Sequence, residues 1–181
     1  MKAGILYADR VTTVSPSYAE EIKTPEFGAG LDVILRMESG KLHGILNGID
    51  YASFNPKKDP AIFANYDKKH LDKKIENKVQ LQKLLELPVR PDVPVIGIVS
   101  RLTYQKGFHL LLQEMENLMQ FDVQLILIGT GDPNFENQFH YFGGKYPHKA
   151  SIHIAFDVTL AQKVYAGVDM FLMPSAFEPC G

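Results

Sequence analysis

The sequence has one cysteine in 181 residues, so an intramolecular disulfide is excluded and a reducing, cytoplasmic compartment is expected. No apolar run reaches the ~18 residues of a membrane-spanning helix, and we expect no signal peptide. The six histidines lack the spacing of a zinc site, so no metal is predicted. A formal net charge of -2 at pH 7 offers no basic surface to nucleic acid or to an anionic membrane.

Apolar runs and amphipathic stretches alternate along the second half of the chain. Short apolar runs predict buried strands at residues 94–99, 123–128, 151–155 and 170–173. The stretches between them predict helices at residues 107–119, at residues 132–146 and around residues 160–168. Strands that alternate with helices imply right-handed crossovers. The predicted fold is therefore α/β, a Rossmann-like parallel sheet with helices on both faces.

The first half of the chain is less regular. Residues 8–14 and 41–49 predict strands, and a helix is expected to begin at Ser17, where Glu20 completes a capping box. Residues 55–67 are rich in Pro, Lys and Asp and predict a connector. A helix at residues 66–87 follows, with its lysines on a solvated outer face. Its predicted apolar stripe is Leu71, Ile75, Val79, Leu81, Leu84 and Leu85.

Charged residues follow two of the predicted strands. Arg101 and Lys106 come after residues 94–99, Gly107 opens the next helix, and Glu178 comes after residues 170–173. Ligands of an open α/β sheet bind at the carboxyl ends of its strands. Two cations and a carboxylate there suit a phosphorylated sugar. Two simpler interpretations stay open: surface cations beside a turn, and a first-turn acid favoured by a helix dipole.

Four segments resemble the bacterial glycogen synthase and plant starch synthase family, in the order and spacing of that family. They are YADRVTTVSP at residues 7–16, GILNGID at 44–50, SRLTYQKG at 100–107 and FEPCG at 177–181. The resemblance implies half of a two-domain GT-B glycosyltransferase that transfers glucose from ADP-glucose to the non-reducing end of an α-1,4-glucan. It implies no cofactor besides this donor. The partners it implies are the nucleotide sugar, the glucan acceptor and a missing amino-terminal domain.

The resemblance also divides the chain. Residues 1–50 correspond to the end of the acceptor-side domain, 51–90 to a linker and helix, and 91–181 to a truncated nucleotide-sugar-binding domain. A chain of this extent is expected to be inactive alone. In the family, the residues that match Arg101 and Lys106 hold the donor diphosphate and stabilise the leaving group, and the match to Glu178 approaches the donor glucose. All three are therefore catalytic candidates.

The resemblance implies further contacts with the substrate. The loop at residues 129–132 lies near the nucleotide in the family, and Phe156 is suited to stack on adenine, where the family often has Tyr. Without the family, Phe156 would be read as a core residue. Cys180 is either a packing residue or part of the site lining. The substrate-binding candidates are Ser100, Gly129, Gly131, Phe156, Asn47 and Cys180.

Two other classes of function remain open. A nicotinamide-dependent dehydrogenase has a similar sheet, but Asn134 stands where the third glycine of its fingerprint should fall. A nucleotide-binding or assembly module without catalysis would need neither Arg101, Lys106 nor Glu178. Binding of ADP, ADP-glucose and NAD separates the three interpretations.

Overall fold

The structure, a computed structural model, describes residues 1–179. The chain forms two compact units, Tyr51–Phe177 and Met1–Asp50, and Glu178 and Pro179 group with the second of these. Cys180 lies outside the described residues. Each unit is described by itself below.

The smaller unit, Met1–Asp50, has a two-stranded parallel sheet and three short helices. The predicted strand at residues 8–14 begins only at residue 11, because residues 8–10 connect it to a helix that ends at Tyr7. The predicted strand at residues 41–49 ends at residue 45. The elements are α1 Lys2–Tyr7, β1 Val11–Val14, α2 Pro16–Glu21, α3 Asp32–Met37 and β2 Leu42–Ile45.

The cap of α2 differs from the prediction. Ser15, not Ser17, is the N-cap, and its side chain accepts a hydrogen bond of 3.2 Å from the amide of Tyr18. Pro16 explains the difference, because proline has no amide hydrogen and a fixed φ that suits the first helical position. The helix therefore begins two residues earlier than the capping box indicated.

The larger unit has a four-stranded sheet whose neighbouring strands are all parallel. Its strands are β3 Val95–Val99, β4 Gln124–Ile128, β5 Ala150–His153 and β6 Met170–Phe171. Its helices are α4 Asp72–Leu84, α5 Phe108–Leu118, α6 Pro133–Lys145 and α7 Val158–Gly167. The strand order is β5, β4, β3, β6.

Helices cover both faces of this sheet. On one face, Phe108 and Met115 of α5 and Phe139 of α6 are fully buried in a cluster with β3 and β4. On the other face, Leu81 of α4 and Val164 of α7 are fully buried in a second cluster. Both clusters bury apolar side chains of the same continuous strands, which stabilises the layers on either side. The predicted α/β class is confirmed.

The predicted apolar stripe of α4 is confirmed at Leu81 and Leu85, which are buried, but it is wrong at Leu71 and Ile75. Leu71 and Ile75 are 58% and 56% exposed. Asn77, Lys78 and Gln82 are buried beside Leu81 instead. The helix thus turns a largely polar face toward the sheet and the connector.

Hydrogen-bond partners explain how α4 buries polar groups. Lys78 Nζ lies 2.8 Å from Asp169 Oδ2 and donates to the carbonyl of Pro91 at 2.8 Å. Gln82 Nε2 donates to Gln124 Oε1 at 2.7 Å. Buried polar groups are tolerated when they are paired in this way. These partners are distant in sequence, so apolar periodicity could not reveal them.

Candidate functional site

Candidate residues lie after three neighbouring strands of the larger unit. Ser100 and Arg101 follow β3, Gly129 follows β4, and Phe156 stands three residues after β5. Because these strands are parallel, their carboxyl ends share one edge of the sheet. This is the edge at which open α/β sheets bind ligands.

A cavity of about 310 Å³ opens at this edge between the strand ends and α7. Ser100, Arg101, Gly129 and Phe156 all line it, and the rest of its wall is largely apolar. Phe156 is 90% exposed, which excludes its interpretation as a core residue. Ligand sites typically combine such an apolar wall with a few polar groups.

Gly129 and Gly131 have an internal role in this loop. A Cβ atom at Gly129 would overlap the carbonyl oxygen of Ser100, and one at Gly131 would overlap that of Leu102. The amide of Leu102 also donates to the carbonyl of Thr130 at 2.9 Å. The loops after β3 and β4 are therefore paired closely, and glycine is required by this approach whether or not a ligand is bound.

The N-terminus of α6 is occupied by its own carboxylates. Asp132 accepts a hydrogen bond of 2.8 Å from the amide of Asn134, and Glu136 accepts one of 2.7 Å from the amide of Gly131. These acids use the amides that a phosphate would need. The glycine loop therefore does not form the phosphate cradle of a dinucleotide-binding protein, which disfavours the dehydrogenase interpretation.

The N-terminus of α5 differs from that of α6. Its N-cap is Gly107, and no side chain forms a capping hydrogen bond. The first turn of α5 contains no acidic residue. Lys106 ends the 3-10 turn immediately before it. A cation beside a helix N-terminus whose first turn has no acidic residue suits an anion, because the amides and the dipole add to the charge.

The turn after β3 also contacts the segment after β6. Gly107 has a left-handed φ of 71°, and a Cβ atom there would overlap the carbonyl oxygen of Pro174. The amide of Ala176 donates to the carbonyl of Gln105 at 2.9 Å. Glu178 comes two residues later but groups with the other unit. Its place opposite Lys106 stays a prediction.

Sequence reasoning missed an aromatic pair beside this turn. The rings of Tyr104 and His109 stack at 4.2 Å with an angle of 4° between their planes. Tyr104 is 69% exposed, while Nδ1 of His109 is buried without a hydrogen-bond partner. Tyr104 and His109 lie on either side of Lys106 in the sequence, so their stacking stabilises the turn that carries this cation.

Burial changes the pKa of Tyr165, which lines the cavity, and of His153, which ends a neighbouring strand. His153, at the end of β5, has a lowered pKa because burial disfavours the imidazolium, an effect that Asp157 partly opposes. Its Nε2 lies 2.9 Å from Ser151 Oγ. Burial also raises the pKa of Tyr165. Near neutral pH both side chains are uncharged, so the positive charge that the sequence places at this edge comes from Arg101 and Lys106.

The remaining features concern the other candidates. Asn47 is exposed and lies two residues after β2, in the smaller unit.

Within residues 1–179, every helix is too short or too polar to cross a membrane. The same residues contain no group of three or more His, Cys, Asp and Glu side chains that could hold a metal ion.

Comparison with known proteins first gives the class. Residues 1–37 match the family "Starch synthase catalytic domain", and residues 93–181 match "Glycosyl transferases group 1". A glycosyltransferase of Rickettsia africae ESF-5 shares the fold at a TM-score of 0.59 and 20% identity, over 92% of this chain and 38% of that one. The fold is that of the GT-B glycosyltransferases.

Closer relatives give the family. The chain is 66% identical over its whole length to a glycogen synthase of Streptococcus sanguinis (strain SK36), of which it covers 38%. It matches the catalytic domain of Arabidopsis thaliana starch synthase IV bound to ADP and acarbose with a TM-score of 0.93 and 38% identity, over 99% of this chain and 37% of that one. The chain is similar over its whole length to members of the glycogen synthase and starch synthase family, and it spans 38% of the length of the curated relatives it matches.

Proposed function

We propose that this chain is the donor-binding part of a retaining glucosyltransferase that uses ADP-glucose to extend an α-1,4-glucan. The observation that carries the proposal is the carboxyl edge of the larger sheet, where an apolar cavity contains Arg101 and the neighbouring turn contains Lys106. The identity to glycogen synthases and the likeness to an ADP-bound starch synthase support it.

The cations at this edge suit the departure of a nucleoside diphosphate. Breaking the bond between glucose and phosphate adds a negative charge to the diphosphate. A fixed cation therefore interacts more strongly with the transition state than with the ground state. We assign this role to Lys106, together with the N-terminal amides of α5. Arg101 can form two parallel hydrogen bonds with phosphate oxygens and holds the donor in both states.

The exposed ring of Phe156 is suited to the adenine base. The side chain lies on the wall of the cavity, and it is 90% exposed. Stacking of a base on such a ring needs no hydroxyl, so the replacement of the family's Tyr by Phe retains this contact. Ser100 and Gly129 would contact the same nucleotide from the strand ends.

The remaining roles belong to the chemistry of the sugar. The transition state of a retaining transfer resembles an oxocarbenium ion, which the carboxylate of Glu178 would stabilise or orient. We assign residues 1–50, with Asn47, to the end of the acceptor-side domain, residues 51–90 to the linker and helix, and residues 91–181 to the donor-side domain. Transfer needs an acceptor-side domain that closes over the donor and excludes water. The chain alone should therefore not elongate glycogen.

Calorimetric titration of the chain with ADP, ADP-glucose and NAD tests the binding part of the proposal. ADP and ADP-glucose should bind and NAD should not, and Arg101→Ala should weaken ADP binding at least about tenfold. Lys73→Ala, an exposed cation on α4, is the matched control and should leave the affinity unchanged. Equal binding of NAD, or equal effects of the two variants, would contradict the proposal.

A chimeric enzyme separates catalysis from binding alone. This chain would replace the matching segment of the Streptococcus sanguinis glycogen synthase, to which it is 66% identical. The chimera should transfer glucose from ADP-glucose to glycogen. A chimera that binds ADP but transfers no glucose would favour the non-catalytic nucleotide-binding module instead.

A further inference from the structure

We infer that Gln105 is a positioning residue that fixes the segment leading to Glu178 against the turn that carries Lys106. The inference rests on the proposed function, in which Lys106 and Glu178 both act on the donor. Gln105 itself need not touch the substrate. It acts through the chain segment that it holds.

Gln105 holds this segment through both its backbone and its side chain. Its carbonyl oxygen accepts a hydrogen bond of 2.9 Å from the amide of Ala176. Its Nε2 donates to the carbonyl of Phe177 at 3.4 Å. The two bonds join positions about 70 residues apart in the sequence, at consecutive residues of the segment. Together they fix its direction as well as its distance from the turn.

A close backbone approach lies directly beside these bonds. Two observations each require glycine at residue 107. Its φ of 71° is left-handed, and a Cβ atom there would overlap the carbonyl oxygen of Pro174. The turn at residues 104–107 and the segment at residues 174–177 are therefore packed against each other. The side-chain Nε2 of Gln105 donates to the carbonyl of Phe177, at the carboxyl end of this contact and one residue before Glu178.

The sheet gives this segment little support of its own. β6 has two residues, and the last bond of its ladder runs from the amide of Leu172 to the carbonyl of Gly97. Met170, Phe171 and Met173 are 47%, 41% and 47% exposed, so the strand and the residues after it are only partly buried. From Pro174 onward, the contacts with the turn take over from the ladder.

This arrangement predicts a specific kinetic effect. A displacement of about 1 Å in a catalytic group can lower the rate up to about a hundredfold. Removing the Nε2 donor leaves Arg101, Lys106 and the N-terminus of α5 in place, so donor binding should be preserved. The loss should fall on turnover, because the carboxylate of Glu178 is needed most when charge develops on the sugar.

Gln105→Met tests the inference, since methionine has a similar length and no hydrogen-bond donor. The control is Gln138→Met, because Gln138 is exposed and donates to the carbonyl of Asn134 within its own helix α6. In the chimeric enzyme, Gln105→Met should lower kcat for glucose transfer at least about fivefold. The dissociation constant of ADP, measured on the chain, should stay within about twofold. Gln138→Met should change neither.

Hydrogen exchange of the chain gives a readout that does not depend on catalysis. Amides at residues 175–178 should exchange faster in Gln105→Met than in the parent chain, and amides of β3 and β4 should not. Unchanged exchange at residues 175–178 would overturn the inference, as would unchanged kcat or an ADP affinity that falls as much as kcat. If the parent chain fails to bind ADP, the proposed function fails, and the exchange result alone decides whether Gln105 holds the segment.

Discussion

Asn77→Ala should destabilise the larger unit by an amount that follows from four hydrogen bonds. The side chain of Asn77 is fully buried on α4. Its Oδ1 accepts from the amides of Phe63 and Ala64 at 3.0 and 3.2 Å, and its Nδ2 donates to the carbonyls of Ala64 and Lys73 at 2.7 and 3.2 Å. Three of these bonds tie the helix to the connector before it. In the variant, the backbone groups that bond to Asn77 remain but lose their side-chain partner.

Each of the four bonds contributes about 1 kcal/mol net, so the variant should lose about 4 kcal/mol of unfolding free energy. The assay is urea unfolding followed by circular dichroism, since the chain has no tryptophan to report by fluorescence. Asn137→Ala, at an exposed position of α6, is the control and should change the free energy by less than about 0.5 kcal/mol. Equal effects of the two variants would refute the reasoning.

Further variants test the site. Gly129→Ala should weaken ADP binding and lower the unfolding midpoint, because its Cβ would overlap the carbonyl of Ser100; a titration that matches the parent would contradict this. Phe156→Ala should raise the dissociation constant of ADP by roughly tenfold with little change in stability, since the ring is exposed and stacking contributes about 1–3 kcal/mol. Burial lowers the pKa of His153 below 6.5, so protonation favours the unfolded chain. Unfolding free energy should therefore fall as the pH drops below about 6.5, His153→Gln should reduce this slope, and His148→Gln should retain it.

The sheet of the larger unit could be predicted well from the sequence. The apolar run at residues 94–99 became β3, and the run at residues 123–128 became β4, each within one residue of its predicted ends. Strands buried on both faces are continuous apolar runs, so their signal is local and strong. The run at residues 170–173, predicted to be a buried strand, forms only the two residues of β6, and both are exposed. An edge strand has a single neighbour, and its length depends on that pairing.

The buried face of α4 could not be predicted. Apolar periodicity assigned the core to Leu71 and Ile75, which are exposed. The actual buried face contains Lys78, whose partner Asp169 lies 91 positions away in the sequence. Burial of a charged group depends on such a partner, and a single sequence does not say which residues meet. The short helix α3 was not predicted, because six residues give little periodic signal.

The candidate site was predictable in part. The positions of Arg101 and Phe156 follow from parallel strands, whose carboxyl ends must share an edge. The reason for Gly129 was not predictable, because the atom that excludes a side chain there belongs to another loop. The same is true of Gln105, whose bond to Phe177 joins the two segments that each resembled the family on their own.

Steady-state kinetics of Lys106→Ala in the chimeric enzyme test the central claim most directly. The measurement uses ADP-glucose as the varied substrate at saturating glycogen, with Lys73→Ala as the control. The account predicts that kcat falls by about 10²–10³ while KM for ADP-glucose changes much less, because the cation acts on charge that develops as the bond to glucose breaks. An unchanged kcat with a raised KM would contradict the account and make Lys106 a residue that only binds the donor.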